Sequence, residues 1–317
     1  MSKNSPTMDF CFFKEEIVPK DKACVSIASH SLQYGSTCFA GIRGYVQEDK
    51  VKIFRLQDHH ERLMNASKIL GFRFYISYED FEEIIDKLIK ANDPQSDFYI
   101  RPFLFSDHEV IGVGYDRVEF SLGIYMFPLS NYYQSDKGLR LTISSWQKIS
   151  DASMPTKAKA GGCYVNSSLA TTEARRSGYD EALMMDHQQN IVEASVANLF
   201  VVYRGEVFTP CVGSDVLEGI TLRTVLELLK EMGYTVRHEP ISRSMIYTCD
   251  ELFLTGTAAQ IIFAESVDGR KIGSGKQGPL TTAIQNRFQD LIAMRHPKSN
   301  TYMKEFIKQE AVCYETH

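Results

Sequence analysis

With 317 residues, 44% of them hydrophobic and 24% charged, the chain has an ordinary globular composition and length enough for two domains with their own cores. A formal net charge of -5 gives no basis for binding nucleic acid or an anionic membrane, and no apolar run approaches the roughly 20 residues of a membrane span. Seven cysteines, widely spaced and without a Cys-x-x-Cys pair, suggest neither a disulfide framework nor a zinc site, so a reducing cytoplasm is the expected compartment.

Met1 to Thr7 lacks the apolar centre of a secretory signal and reads as a lead-in. Residues 9–27 read as short strands with a turn at Pro19-Lys20-Asp21-Lys22. Cys38 to Tyr45 alternates small and large residues, as a strand does where a ligand or another backbone comes close, and Lys52 to Leu56 reads as its hairpin partner. Asp58 opens a helix as its N-cap, with Glu61 three residues on as in a capping box. His59 and His60 are adjacent, so their side chains diverge; they read as polar residues of a helix start rather than as metal ligands. Tyr78 to Ala91 predicts an amphipathic helix with Phe81, Ile84, Ile85, Leu88 and Ile89 on one stripe.

Phe98 to Phe105 predicts a strand in which Arg101 lies among apolar neighbours. An arginine so embedded needs an anion, from the protein or from a ligand. Val118 to Phe127 predicts a further strand, and the polar run that follows is the natural linker. The expected division is therefore a smaller N-terminal α/β domain over 1–127, a linker over 128–138 and a larger domain over 139–317.

The second half opens on the strand Leu139 to Trp146 and reaches Pro155-Thr156-Lys157-Ala158-Lys159-Ala160-Gly161-Gly162-Cys163-Tyr164. A free lysine, with a pKa of about 10.4, is a poor nucleophile at neutral pH until a crowded or desolvated setting lowers that value. The small residues around Lys159 leave room for a bulky group on its amine, the arrangement of a lysine that forms Schiff bases. From the stretch alone a solvated surface lysine is the commoner reading. Lys157 is the nearby rival, on the same side if the segment is a strand, and Cys163 reads as a small packing residue.

A helix follows from Val165 to Ser177, then a strand pair over Glu181 to Glu193 turning at residues 186–190. Asn198 to Tyr203 and Glu206 to Pro210 read as a hairpin over Arg204-Gly205. Gly219-Ile220-Thr221 opens a helix from Leu222 to Met232 and is either a phosphate cup or an ordinary cap. The strand Asp250 to Leu254 breaks into Thr255-Gly256-Thr257-Ala258-Ala259, a second anion-site pattern. Leu280 to Met294 predicts the last helix, and Met303 to His317 carries no signal.

Seven motifs then fall in one order: Phe39-Ala40-Gly41-Ile42-Arg43, His60-Glu61-Arg62-Leu63, Tyr99-Ile100-Arg101-Pro102, Ala158-Lys159-Ala160-Gly161-Gly162-x-Tyr164, Glu193-x-x-x-x-Asn198-Leu199-Phe200, Gly219-Ile220-Thr221 and Gly256-Thr257-Ala258-Ala259. Together they resemble the fold-type-IV pyridoxal-phosphate enzymes, and within them the branched-chain amino-acid aminotransferases, from about Phe10 to Arg295. The resemblance implies an α+β protein, two α/β domains of the D-amino-acid aminotransferase-like architecture. It implies transamination between leucine, isoleucine or valine and 2-oxoglutarate, giving the branched 2-oxo acids and glutamate by a ping-pong course.

The same resemblance assigns the residues. Lys159 would bind pyridoxal 5'-phosphate covalently and, once released, move the proton between the substrate Cα and the cofactor C4'. Glu193 would sit beside the pyridine nitrogen and Tyr164 at the phenolic oxygen. Arg62, the helix start at Ile220 and Thr221, and Thr257 would hold the phosphate. The backbone N–H groups of Thr257 and Ala258, with Tyr99, would meet the substrate α-carboxylate. Tyr34, Phe39, Gly41, Tyr99, Arg101 and either Tyr132 or Tyr133 would line the side-chain pocket. Tyr34 and the loop near 106–115 would reach a neighbouring subunit's site, which implies at least a homodimer. Ala40, Leu129, Cys163 and Gln260 stand where many relatives carry other residues; the first two bear on pocket size, so the preferred aliphatic side chain is open.

D-amino-acid aminotransferases, aminodeoxychorismate lyases and R-selective amine transaminases share the fold and the lysine. Arg101 within Tyr-Ile-Arg-Pro and the run Gly-Thr-Ala-Ala favour the branched-chain reading. A binding or regulatory protein on this fold would have lost catalytic groups, whereas Lys159, Glu193, Tyr164 and Arg62 are all present.

Overall fold

The computed structural model describes residues 7–129, 137–211 and 215–308. Within those residues the chain divides into two units, the first drawn from Met1–Ser130, Ala158–Gly162 and Lys298–His317 and the second from Asn131–Lys157 and Cys163–Pro297. No helix of the described residues is long and apolar enough to cross a membrane.

The first unit is built on an antiparallel sheet of eight strands among the described residues. Its longest strands, Phe98–Phe105 and Ser121–Pro128, pair over their whole length. Period-two alternation sorts their side chains. Phe98, Ile100 and Leu104 enter the core beside Phe81, Ile85, Leu88 and Ile89 of the helix Tyr78–Asn92. Burying each such side chain contributes roughly 1.5–3 kcal/mol. Tyr99, Arg101, Phe103 and Phe105 take the other face, where Tyr99 meets Phe127 and Phe103 meets Tyr125. Ser77 caps the helix by accepting the N–H of Asp80 at 3.0 Å.

The preceding helix departs from expectation at its start. It runs Leu56–Leu70, two residues ahead of the expected N-cap, and Arg55 rather than Asp58 occupies the cap. Asp58 instead lies in the first turn and accepts from Arg55 Nε at 2.7 Å, where a carboxylate also suits the helix dipole. His59 and His60 are buried, not polar residues of an open helix start. His60 Nε2 lies 2.9 Å from the Ile76 carbonyl, and its ring packs on Tyr78 and Phe81.

Two segments expected in the second domain belong to the first unit. Met303–Ile307, which carried no signal, forms an edge strand antiparallel to Lys50–Phe54. Ala158–Gly162 is drawn in by backbone pairing with residues 37–39. The expected linker falls largely outside the described residues, as do Tyr132 and Tyr133.

The second unit carries nine strands in one mixed sheet among the described residues. Leu139–Ile143 pairs in parallel with both Glu181–Met185 and Gln260–Val267, while Asn198–Tyr203 pairs antiparallel with Glu206–Thr209 and Glu251–Gly256. Leu141, Leu183, Leu199, Val201, Leu252 and Leu254 form its core on one side. On the other face Phe200 and Phe253 stack with ring centres 5.0 Å apart. The helix Pro279–Ile292 is anchored by Glu251, whose carboxylate accepts the N–H groups of Leu280 at 3.0 Å and Thr281 at 2.8 Å.

Candidate active site

Lys159 stands outside regular structure. Short 3-10 turns over Thr156–Ala158 and Gly161–Cys163 flank it, so the strand on which Lys157 and Lys159 would share a side does not form. Lys157 is exposed, whereas Lys159 is half-buried with Nζ 5.1 Å from the centre of the Phe39 ring. The φ of Lys159 is 49°, in the left-handed region, which costs a non-glycine residue on the order of 1–3 kcal/mol. The neighbouring backbone offsets that cost. Phe39 N–H donates to the Lys159 carbonyl at 3.3 Å, Gly161 N–H donates to the Thr37 carbonyl at 2.8 Å, and Ala160 bridges to Cys38. Gly161 is required for this approach, since a Cβ there would lie 2.0 Å from Thr37 Oγ1.

Phe39 also carries Arg101, whose guanidinium carbon is 4.4 Å from its ring centre and 5.3 Å from that of Tyr99. Ring faces attract a cation without using its N–H donors, and Arg101 Nε is buried with no hydrogen-bond partner. That donor is suited to an anionic ligand. Gly41 fits beside it for a steric reason: a Cβ would stand 1.6 Å from Tyr99 Oη. Tyr34 is partly exposed, and its Oη accepts the Gly112 N–H at 3.3 Å. Arg62, in the second turn of the helix Leu56–Leu70, has Nη2 at 3.5 Å from His59 Nδ1. The first unit thus gathers Phe39, Gly41, Tyr99, Arg101 and Lys159 into one group.

The second unit holds the remaining expected residues. Tyr164 is the first residue of the helix Tyr164–Arg176. Glu193, on the strand Ile191–Ala194, is 4% exposed. It forms an ion pair with Lys148, and its Oε2 accepts from Asn198 Nδ2 and the Leu217 N–H, each at 3.3 Å. Ile220 and Thr221 are buried in the first turn of the helix Ile220–Glu231, which Gly219 precedes with no side-chain cap. Thr257 and Ala258 sit in the tight turn between the strands Glu251–Gly256 and Gln260–Val267, closed by the left-handed Gln260 at φ 55°. Cys163 has its Sγ 3.9 Å from Met154 Sδ, and burial pushes its thiol up while Lys148 draws it down. It is a packing residue, as expected.

Lys148 is a neighbour of Glu193 that sequence reasoning missed. It follows Trp146-Gln147 with no periodic pattern around it, and only the folded sheet brings it to Glu193. Asn198 was present in a motif, but its part in gripping the carboxylate has no local signature.

The sequence matches the amino-transferase class IV family over residues 38–267. It is 39% identical over 283 residues to a probable branched-chain-amino-acid aminotransferase of Aquifex aeolicus (strain VF5), covering 88% of this chain and 91% of that protein. The crystal structure of a branched-chain aminotransferase from the thermophilic archaeon Thermoproteus uzoniensis with norvaline aligns with a TM-score of 0.90 at 33% identity, over 94% of this chain and 99% of the other. That of the branched-chain amino acid aminotransferase from Thermobaculum terrenum, in its PLP-bound holo form, aligns with a TM-score of 0.89 at 28% identity, over 95% and 99%.

Proposed function

The chain belongs to the class IV amino-transferases, and from that membership we propose that it is a branched-chain-amino-acid aminotransferase. It transfers the amino group of leucine, isoleucine or valine to 2-oxoglutarate through pyridoxal 5'-phosphate, in two half-reactions with ping-pong kinetics. The observation that carries the substrate reading is the group Phe39, Tyr99 and Arg101: aromatic faces pack an aliphatic chain, and a buried guanidinium N–H with no protein partner donates to the γ-carboxylate of glutamate.

Pyridoxal phosphate, when bound, supplies the electron sink for negative charge developing at the substrate Cα. The residues present fit it: a half-buried lysine, a buried carboxylate, and a helix start with no side-chain cap. Lys159 Nζ would hold the cofactor covalently and, once freed, would move the proton between the substrate Cα and the cofactor C4'. Glu193 would sit beside the ring nitrogen, and Tyr164 would donate to the phenolic oxygen. Arg62, the N–H groups at Ile220 and Thr221, and Thr257 bind the phosphate. The backbone of Thr257 and Ala258, with Tyr99, orients the α-carboxylate. Tyr34, Phe39, Gly41 and Arg101 shape the remaining pocket.

The exposed apolar side chains of Val25, Ile27, Leu32, Ile111 and Val113 in the first unit support a homodimer, which light scattering after gel filtration tests. The free thiols of the six described cysteines suit a reducing cytoplasm.

The direct test is the visible spectrum of the purified protein reconstituted with pyridoxal phosphate, before and after L-leucine and, separately, D-alanine. Conversion of the bound cofactor to its aminated form by L-leucine alone is the expected result. Conversion by D-alanine alone moves the protein to the D-amino-acid branch, and absence of any bound-cofactor band overturns the mechanism.

A further inference from the structure

The proposed reaction sets Glu193 against a pyridine nitrogen, and one group beside that carboxylate is left without a task. Lys148, with a side chain 11% exposed, pairs through Nζ with Glu193 Oε1, on a side chain 6% exposed. The second oxygen is held from two further directions by Asn198 Nδ2 and the Leu217 N–H. Asn198 is itself fixed. Its Nδ2 also donates to the Leu217 carbonyl at 2.9 Å, and its Oδ1 fills the space that a Cβ on Gly219 would need, 2.1 Å away. Three donors from three parts of the chain therefore grip one carboxylate. Such a grip fixes orientation, and the ammonium adds charge.

A buried carboxylate and a pyridine can share one proton in two ways. Either the ring is a pyridinium beside a carboxylate, or the ring is neutral beside a carboxylic acid. Away from water the second form is favoured, because it buries no charge. A cation in direct contact with the far oxygen reverses the preference, since its attraction to the carboxylate exceeds its repulsion of a ring lying beyond it. We propose that Lys148 is a positioning residue that keeps the proton on the cofactor's ring nitrogen by holding Glu193 as the carboxylate. The inference rests on the reading of Glu193 as the partner of that nitrogen. It makes the strength of the electron sink depend on a lysine that never touches the cofactor.

The experiment uses the holoenzyme reconstituted with pyridoxal phosphate labelled with nitrogen-15 in the ring, whose chemical shift reports ring protonation. Wild type is expected at the protonated position. Lys148→Met and Lys148→Gln move the signal toward the neutral ring, and Lys148→Arg restores it. In Lys148→Met, kcat falls by about an order of magnitude with KM for leucine little changed, the pattern of an interaction lost after binding. Lys148→Gln keeps a donor to Glu193 without the charge, so it separates loss of charge from loss of fold. A wild-type shift in either Lys148→Gln or a folded Lys148→Met overturns the proposal. Glu193→Gln is the control for the underlying reading. If it moves the signal while the Lys148 variants do not, only the role of Lys148 falls; if it leaves the signal in place, the assignment of Glu193 falls with it.

Discussion

Two groups of charged side chains, one in each unit, are held by different means. In the first, the Arg101 guanidinium and Lys159 Nζ lie 4.4 and 5.1 Å from the centre of the Phe39 ring, and Arg101 keeps a buried Nε–H without a hydrogen-bond partner. In the second, carboxylates are clasped by hydrogen-bond donors: Glu193 by Lys148, Asn198 and Leu217, and Glu173 by Ser144 and Ser145. A guanidinium resting on a ring keeps its N–H donors for a ligand. A clasped anion cannot move, and serves by presenting fixed charge. On the proposed reading, Lys159 and Arg101 are the groups that engage substrate and Glu193 supplies fixed charge.

The largest expected effect breaks the first half of that comparison. Lys159→Ala removes the covalent attachment and the proton carrier together, so kcat falls by at least about 10⁴-fold and the visible spectrum shows only non-covalent cofactor. Full activity in this variant would sink the assignment. Arg101→Met sharpens the same half, since it keeps an apolar chain between Phe39 and Tyr99 but removes the charge. Losing a hydrogen bond to a charged group costs about 1.5–3 kcal/mol, so kcat/KM for glutamate falls roughly 10- to 150-fold while that for leucine changes much less. Equal losses for both substrates would remove Arg101 as the carboxylate partner.

The smallest effect tests the second half at a carboxylate outside the proposed chemistry. The Ser144 hydroxyl, at 2.5 Å, and then that of Ser145 hold the Glu173 carboxyl below the usual carboxylate range. A group lowered on folding contributes stability that is complete above its unfolded pKa of about 4.3 and is lost as pH falls through the folded value. Glu173→Gln should lower Tm by roughly 2–4 °C at neutral pH, with the deficit shrinking in acid below about pH 4. A deficit of the same size at both ends of that range would show that the clasp does not depend on charge.

Much of the fold could be read from local pattern. The helix Tyr78–Asn92 announces itself because its apolar residues recur at helical spacing and Ser77 stands before it. Phe98–Phe105 is equally legible, down to the arginine that lacks an apolar reason to be there. What stayed hidden depends on partners remote in sequence. Met303–Ile307 is a short edge strand with Lys304 and Glu305 at its centre, and its strand pairing lies in the remote Lys50–Phe54. The left-handed Lys159 has no propensity signal at all, because Phe39, Thr37 and Cys38 impose it. The expected site residues come from motifs, whereas the groups that touch them carry no such signal. Lys148 beside Glu193 and His59 beside Arg62 are matters of packing.

The edge strand has a consequence for biosynthesis. The strand Lys50–Phe54 emerges early from the ribosome, while its partner Met303–Ile307 comes about 250 residues later, a delay of roughly 12–50 s at ordinary translation rates. Throughout that interval the nascent first unit presents an open sheet margin to every other chain in reach. Lys50 and Lys52 on that margin are the kind of charge that discourages such pairing until its own last strand arrives.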